Sequence, residues 1–230
     1  MDSQGGMWLG TYFGGINYYH PLKNRFHNIQ FKTNENSLNN SIVSCITEER
    51  GKGIWIGTNS GGLNYYNKYT ESFTYYTMNE GLGSNDIKAL YVDEKNNLVY
   101  IGTHTGGLSI LHRNTGQIET LNNREIKNIY VIEPTLDGEL WLSGLNILLR
   151  FNPQTKTFTR IEKQADGQPM IPERIVTTLR DSKRRLWLGG EKGLAVHQEK
   201  NNELTASPVL PAESPLNNKY INCIHAVSYT

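Results

Sequence analysis

Cysteine is scarce: the 230 residues contain two, Cys45 and Cys223, too few for a disulfide framework. A surplus of either charge is missing too. Twenty-three Lys and Arg stand against 22 Asp and Glu, a formal net charge of +1, which removes the electrostatic drive toward nucleic acid or an anionic membrane surface. The basic run Lys183-Arg184-Arg185 reads as a solvated turn before a strand. No apolar stretch approaches the roughly 18 residues needed to cross a bilayer, and the opening "MDSQGGMWLG" lacks the basic and apolar regions of a secretion signal. None of the six histidines has a metal-ligand spacing such as H-E-x-x-H, and no G-x-S-x-G elbow occurs. The glycine-rich "GTNSGG" and "GTHTGG" lack the Gly-Lys-Ser/Thr ending of a phosphate-binding loop. No catalytic residue, metal site or cofactor is therefore expected, and the turn carboxylates Glu48, Glu49, Asp93, Glu94, Asp137 and Asp181 read as hairpin formers and solubilisers.

What is present is a repeated phrase. "IWIGTNSGGLNYYN" at Ile54 to Asn67 nearly copies "MWLGTYFGGINYYH" at Met7 to His20. Aligned on its aromatic residue the phrase recurs at Trp8, Trp55, Tyr100, Trp141 and Trp187, a period of 41 to 47 residues that fits a propeller blade of four short strands. Helical repeats of similar period are excluded because no window sustains a helical pattern. In the second unit the apolar and β-branched runs predict an inner strand at 42–47, a second at 54–58, a third at 63–66 and an outer one at 73–77. Glycine pairs at the turns supply the positive φ of tight reversals. The aromatic residue is expected to pack between neighbouring sheets with its polar tip partnered. The fold class is all-β, a β-propeller of about five four-stranded antiparallel blades, with 1–230 a single propeller domain or a fragment of a larger propeller sensor.

The pattern of an acid, a Gly turn, "W-I-G-T", "G-G-L" and an aromatic pair resembles the two-component regulator propeller repeat of the periplasmic sensor region of hybrid two-component systems, especially those of gut Bacteroidetes. The linkers "LGSNDI" at Leu82 to Ile87 and "LNNSI" at Leu38 to Ile42 match that family's blade junctions. The resemblance covers nearly the whole chain and weakens in the fourth and fifth units, which lose the Gly-Gly pair. It implies a periplasmic, non-enzymatic sensor that recognises oligosaccharides, joined in longer relatives to a membrane helix, a histidine kinase and a DNA-binding output module. The sequence carries no kinase, membrane or receiver pattern. The expectation is that this chain is one piece of such a sensor, the alternative being a small stand-alone relative.

The ends also repeat. "LNNKYINCIHAV" near the C-terminus copies "LNNSIVSCITEE", so an inner strand there, Tyr220 to Ala226, is expected to close the ring on Met7 to Thr11. The rival is that the chain samples a larger ring, in which case the same strands could close between two molecules by exchange, giving a homodimer. Cys45 and Cys223 occupy equivalent inner-strand positions and are expected to be free, buried thiols.

Turns between second and third strands converge on one face of a propeller. They differ from unit to unit while their flanks stay alike. The candidate ligand-binding residues are Tyr12, Phe13, Asn59, His104, Asn146 and Glu191. Aromatic faces beside amides and hydroxyls suit sugar rings. Two other classes stay open: a small propeller enzyme resembling streptogramin-inactivating lyases, with His104 as base, and a scaffold that binds other protein chains.

Overall fold

The computed structural model describes residues 2–3, 5–20, 25–33, 35–121, 126–144, 147–161, 175–183, 185–191, 193–200, 203–206, 215–216 and 219–224. The chain forms two compact units, Met1–Ile129 and Tyr130–Thr230. The first holds three sheets. β1 (Met7–Thr11), β2 (Gly15–His20) and β3 (Arg25–Ile29) form one; β4 (Val43–Glu49), β5 (Gly53–Thr58), β6 (Gly62–Asn67) and β7 (Ser72–Tyr76) form the next. β8 (Ile87–Asp93), β9 (Leu98–Thr103), β10 (Leu108–His112) and β11 (Gln117–Leu121) follow after a short 3-10 turn at Met78–Glu80. The second unit holds two sheets, β12 (Val131–Pro134), β13 (Leu140–Gly144), β14 (Ile147–Asn152), β15 (Thr157–Arg160) and then β16 (Ile175–Arg180), β17 (Arg185–Gly190), β18 (Gly193–Lys200), β19 (Glu203–Ala206). Every pairing is antiparallel between chain neighbours, so each sheet is a meander. These are five blades of the β-propeller type, and the strands expected in the second unit fall on β4 to β7.

Within each unit, successive blades stack through apolar faces. Ile16, Leu38, Ile54 and Ile56 fill the first junction, with Trp8 and Tyr66 beside them. Trp55, Leu63, Leu82, Ile87, Val99, Ile101 and Leu111 fill the second. In the second unit Trp141, Leu148, Ile175, Leu186, Leu188 and Leu204 do the same. The repeated aromatic thus packs between sheets as its recurrence implies. Two residues after it stands the glycine of the phrase, which faces the next chain segment. A Cβ on Gly57 would lie 2.6 Å from Ile87 Cγ2, on Gly102 2.7 Å from Ile129 Cγ2 and 2.8 Å from its carbonyl oxygen, and on Gly189 2.6 Å from Ile221 Cγ2.

The aromatic tip has a partner that the sequence reading assigned to solvent. Trp8 Nε1 donates to Asp2 (2.8 Å), Trp55 Nε1 to Glu49 (3.1 Å) and Trp187 Nε1 to Asp181 (2.8 Å). Each acceptor lies six residues before its tryptophan. Each carboxylate is also held by a cation: Lys68 Nζ reaches Asp2 at 2.8 Å, Arg113 pairs with Glu49, and Arg185 pairs with Asp181. Lys68 and Arg113 each follow the third strand of one blade and grip the acid of the blade before it. Glu49 and Asp181 are therefore structural acceptors rather than solubilisers. In the fourth blade the place six residues before the tryptophan is Thr135, whose hydroxyl accepts from Glu139 N instead.

The expected closing strand is not seen among the described residues. The sheet of β1 has three strands, and Ile221 donates its N–H to Gly190 O (3.0 Å) beside the fifth blade, as Ile129 does to Thr103 O (3.1 Å) beside the third. The remainder of Tyr220 to Ala226, from position 225, lies outside the described residues. Both cysteines are free, as expected, but Cys45 is half-buried and Cys223 exposed. Cys223 lies on a segment with no described strand ladder to cover it.

Two outcomes follow from these contacts. Gly102→Val is expected to lose about 1–3 kcal/mol by overpacking against Ile129, read from urea midpoints; an unchanged midpoint would show that the inner strand yields freely. Burial raises the Asp181 pKa, but bonds from Trp187, Arg185 and Lys183 outweigh it and hold the carboxyl down at about 2. A depressed acid stabilises above its unfolded pKa and loses that contribution as pH falls through the folded one. Asp181→Asn is therefore expected to be less stable than the natural chain by about 1–2 kcal/mol at neutral pH, with the gap closing toward pH ~2. A gap of constant size would show that the charge is not what matters.

Candidate functional site

The turns between second and third strands are built by the end of the repeated phrase. The hydroxyls of Thr11, Thr58 and Thr103 donate to the carbonyls of Gly15 (3.0 Å), Gly62 (2.9 Å) and Gly107 (2.9 Å), closing each reversal. Those glycines have φ of 75°, 84° and 78°, in the left-handed region where a side chain is strained. On Gly62 a Cβ would also meet Tyr76 O at 2.4 Å. The threonine and glycine are thus fixed by turn geometry, and the residues between them form a tip free to differ.

At two of these tips the chain is tied to the next linker. Ser60, with φ 66°, gives its N–H to Asp86 Oδ1 (3.2 Å), and Thr105, with φ 68°, gives its N–H to Asn128 Oδ1 (3.1 Å). Asp86 O also accepts from His104 N (2.8 Å), so one linker residue joins the Asn59 and His104 turns. Lys88 completes the cluster. The ladder of β8 and β9 shifts between Ile87 and Ala89, leaving Lys88 as a bulge residue. Its ammonium donates to Asn59 Oδ1 (2.8 Å) and lies 3.9 Å from Asp86 Oδ1. The Asn59 amide, the Lys88 ammonium and the Asp86 carboxylate thus converge beside the His104 turn, which is tied in through its backbone N–H.

Tyr12 and Phe13 form a separate edge-to-face pair, ring centroids 4.5 Å apart, and are 65% and 73% exposed. Two open aromatic rings on one tip are a ready stacking surface. Glu191 is exposed on the β17–β18 turn of the second unit, and Asn146 lies outside the described residues. The structure therefore brings Asn59 and His104 together, places Tyr12 and Phe13 on their own tip, and adds Asp86, Lys88 and Asn128. Open crevices lie elsewhere: one of about 630 Å³ beside Glu80, His112, Gln117 and Glu119, and one of about 200 Å³ beside Asn28, Gln30, Asn36, Tyr66 and Phe73. Among the described residues no group of His, Cys, Asp and Glu is placed to hold a metal ion. No described helix is long and apolar enough to cross a membrane.

Comparison with known proteins places this geometry. No protein-family profile matches the chain. A stretch of 105 residues, 42% of the chain, is 29% identical to "Histidine kinase P4" of Formosa agariphila and spans 8% of that protein. The extracellular domain of BT3049 of B. thetaiotaomicron, described as a hybrid two component system, matches with a TM-score of 0.76 over 94% of this chain and 29% of its own, at 23% identity. Virginiamycin B lyase of Staphylococcus aureus matches with a TM-score of 0.66 over 90% of this chain and 68% of its own, at 15% identity. At these identities the structures establish a shared fold. The resemblance carried by the repeats thus has counterparts in the extracellular domain of a two-component system and in a histidine kinase, of which this chain spans a minor part.

Asp86→Ala is expected to free the Ser60 amide and release Lys88, leaving the blades intact. Amide exchange should quicken at Ser60, while His104, whose N–H donates to the backbone carbonyl of residue 86, and the strand amides of β5 and β9 keep their protection; unchanged exchange at Ser60 would show that the Asp86 carboxylate does not hold that turn.

Proposed function

We propose that this chain is a ligand-sensing propeller module, without catalytic activity of its own, belonging to a longer two-component signalling protein and working in the periplasm. The observation that supports the reading is the match over nearly the whole chain to an extracellular domain of such a system, joined to the histidine kinase match. The ligand class we assign is oligosaccharide. Tyr12 and Phe13 supply flat apolar faces for C–H stacking, and Asn59 and His104 supply polar groups for hydroxyls, with Glu191 on the β17–β18 turn of the second unit.

The signalling step follows from the linker bonds. A ligand that pulls on the Asn59 or His104 tip pulls on Asp86, and Asp86 opens the inner strand β8 of the next blade. Binding energy at a tip is thereby spent on blade packing, which is how a scaffold without moving domains transmits occupancy, here to a partner copy in a homodimer and to the rest of the sensor chain.

Calorimetry of this chain, and of the longer natural protein, against a panel of neutral and acidic oligosaccharides tests the reading. At least one ligand is expected to give heat, weakened tenfold or more by joint Tyr12→Ala and Phe13→Ala substitution, with the melting temperature unmoved because both rings are exposed. A silent panel without thermal shift would count against a sugar sensor. Turnover of any panel member that His104→Ala abolishes would favour the lyase-like reading instead.

A further inference from the structure

The junction between the fourth and fifth blades breaks the pattern of its counterpart in the first unit. Between the second and third blades, the second strand's Trp55 and its ladder partner Thr47 face Leu90 and Val92, which pack against the apolar cluster there. In the second unit the ladder pairs Glu133 with Trp141 and Val131 with Ser143, so Glu133, Trp141 and Ser143 share one face. On β16, Thr178 pairs with Leu188 and Arg180 with Leu186, the positions that Leu90 and Val92 hold against Ile101 and Val99. Leu186 and Leu188 pack with Trp141, which sets these two faces against each other. A carboxyl, a guanidinium and two hydroxyls thus replace an apolar contact.

Glu133 and Arg180 are half-buried residues, and four polar atoms on these faces are buried and unsatisfied. Trp141 Nε1, Ser143 Oγ, Thr178 Oγ1 and Arg180 Nη1 have no hydrogen-bond partner, with Trp141 and Ser143 each 1% exposed and Thr178 7%. An unmade bond of this kind costs stability that a charged acceptor would recover. No ion pair of Glu133 occurs among the described residues, although the charge of Arg180 acts on it. Burial pushes the Glu133 carboxyl up to about 7, against the opposing pull of Arg180. The other titratable groups on these faces are Arg150, which shares the rung of Trp141 and is committed to Asp137 and Glu139, and His197, which shares the rung of Leu186 and Arg180.

We propose that this junction is a proton-gated latch: neutral Glu133 leaves the two blades in contact through apolar side chains, and ionised Glu133 turns to accept from Trp141 Nε1 and Arg180 Nη1, drawing β12 toward β16. The donors stand ready and lack only a charged acceptor. In three other blades the indole N–H already meets a carboxylate, so the fourth blade forms by ionisation the bond its sisters make permanently.

Four tryptophans give four indole N–H resonances, which report the latch directly. The Trp141 signal is expected to move with a midpoint between about pH 6 and 8, while those of Trp8, Trp55 and Trp187 stay still. Glu133→Gln should abolish the movement, and Arg180→Met should raise its midpoint by removing the opposing cation. A raised acid favours the folded state below its unfolded pKa and loses that contribution as pH rises through the folded value, so stability should fall between about pH 5 and 8 in the natural chain and not in Glu133→Gln. A Trp141 signal that stays flat across this range overturns the proposal. So does movement that survives Glu133→Gln, which assigns the titration to His197. Should the Glu133→Gln protein fail to fold, the side-chain carboxyl carbon shift of Glu133 in the natural chain decides: a titration near the ordinary carboxylate value overturns it.

Discussion

Two residues after the aromatic of each complete phrase stands a position without a side chain, and the next inner strand lies against it. Gly57 receives Ile87, Gly102 receives Ile129 and Gly189 receives Ile221, while Gly10 faces Val43. This closeness sets the angle at which one sheet meets the next. The aromatic fills the wedge that remains, and its polar tip then falls within reach of the acid at the hairpin before it. Lys68 and Arg113 reach back over the same wedge, so apolar packing, indole bonds and ion pairs all depend on the same omitted Cβ. Serine at position 143 gives the fourth blade a different junction, and there the polar departures gather.

Much of the fold was legible because its information is local and repeated. An aromatic beside a glycine, a threonine, a glycine pair and a period in the forties fix four strands and three turns, and the strands read for the second unit lie within a residue or two of β4 to β7. The acids six residues before Trp55 and Trp187 read as surface groups in the sequence but are indole acceptors in the fold. Their bond to the indole exists only when the hairpin pairs and brings the turn beside the second strand's ring, which composition at a turn does not reveal. A fixed interval from acid to tryptophan in three units was the signal available. Cys223 goes the other way: its segment copies that of Cys45 in sequence but not in burial, because burial belongs to the strands that flank a segment.

The candidate site was legible in its tips and hidden in its supports. Tyr12, Phe13, Asn59 and His104 stood out because they vary between invariant flanks. Asp86, Asn128 and Lys88 sit in linkers that read as spacers, and Lys88 reaches Asn59 only because a bulge displaces it from the ladder. Bulges also shift the starts of β4 and β16, so the inner strands of three blades share this displacement, whereas β12 of the fourth pairs without it.

The tie from Ser60 to Asp86 makes the linker a shared footing. Ser60 and Thr105 bond forward to the linker that follows them, while Asn59 and His104 donate back to Ile42 and Asp86 before them, so Asp86 stands between two tips one repeat apart. Evolution that edits a tip dipeptide therefore edits the footing of its downstream neighbour as well, and the varied surface changes as linked pairs instead of as independent points.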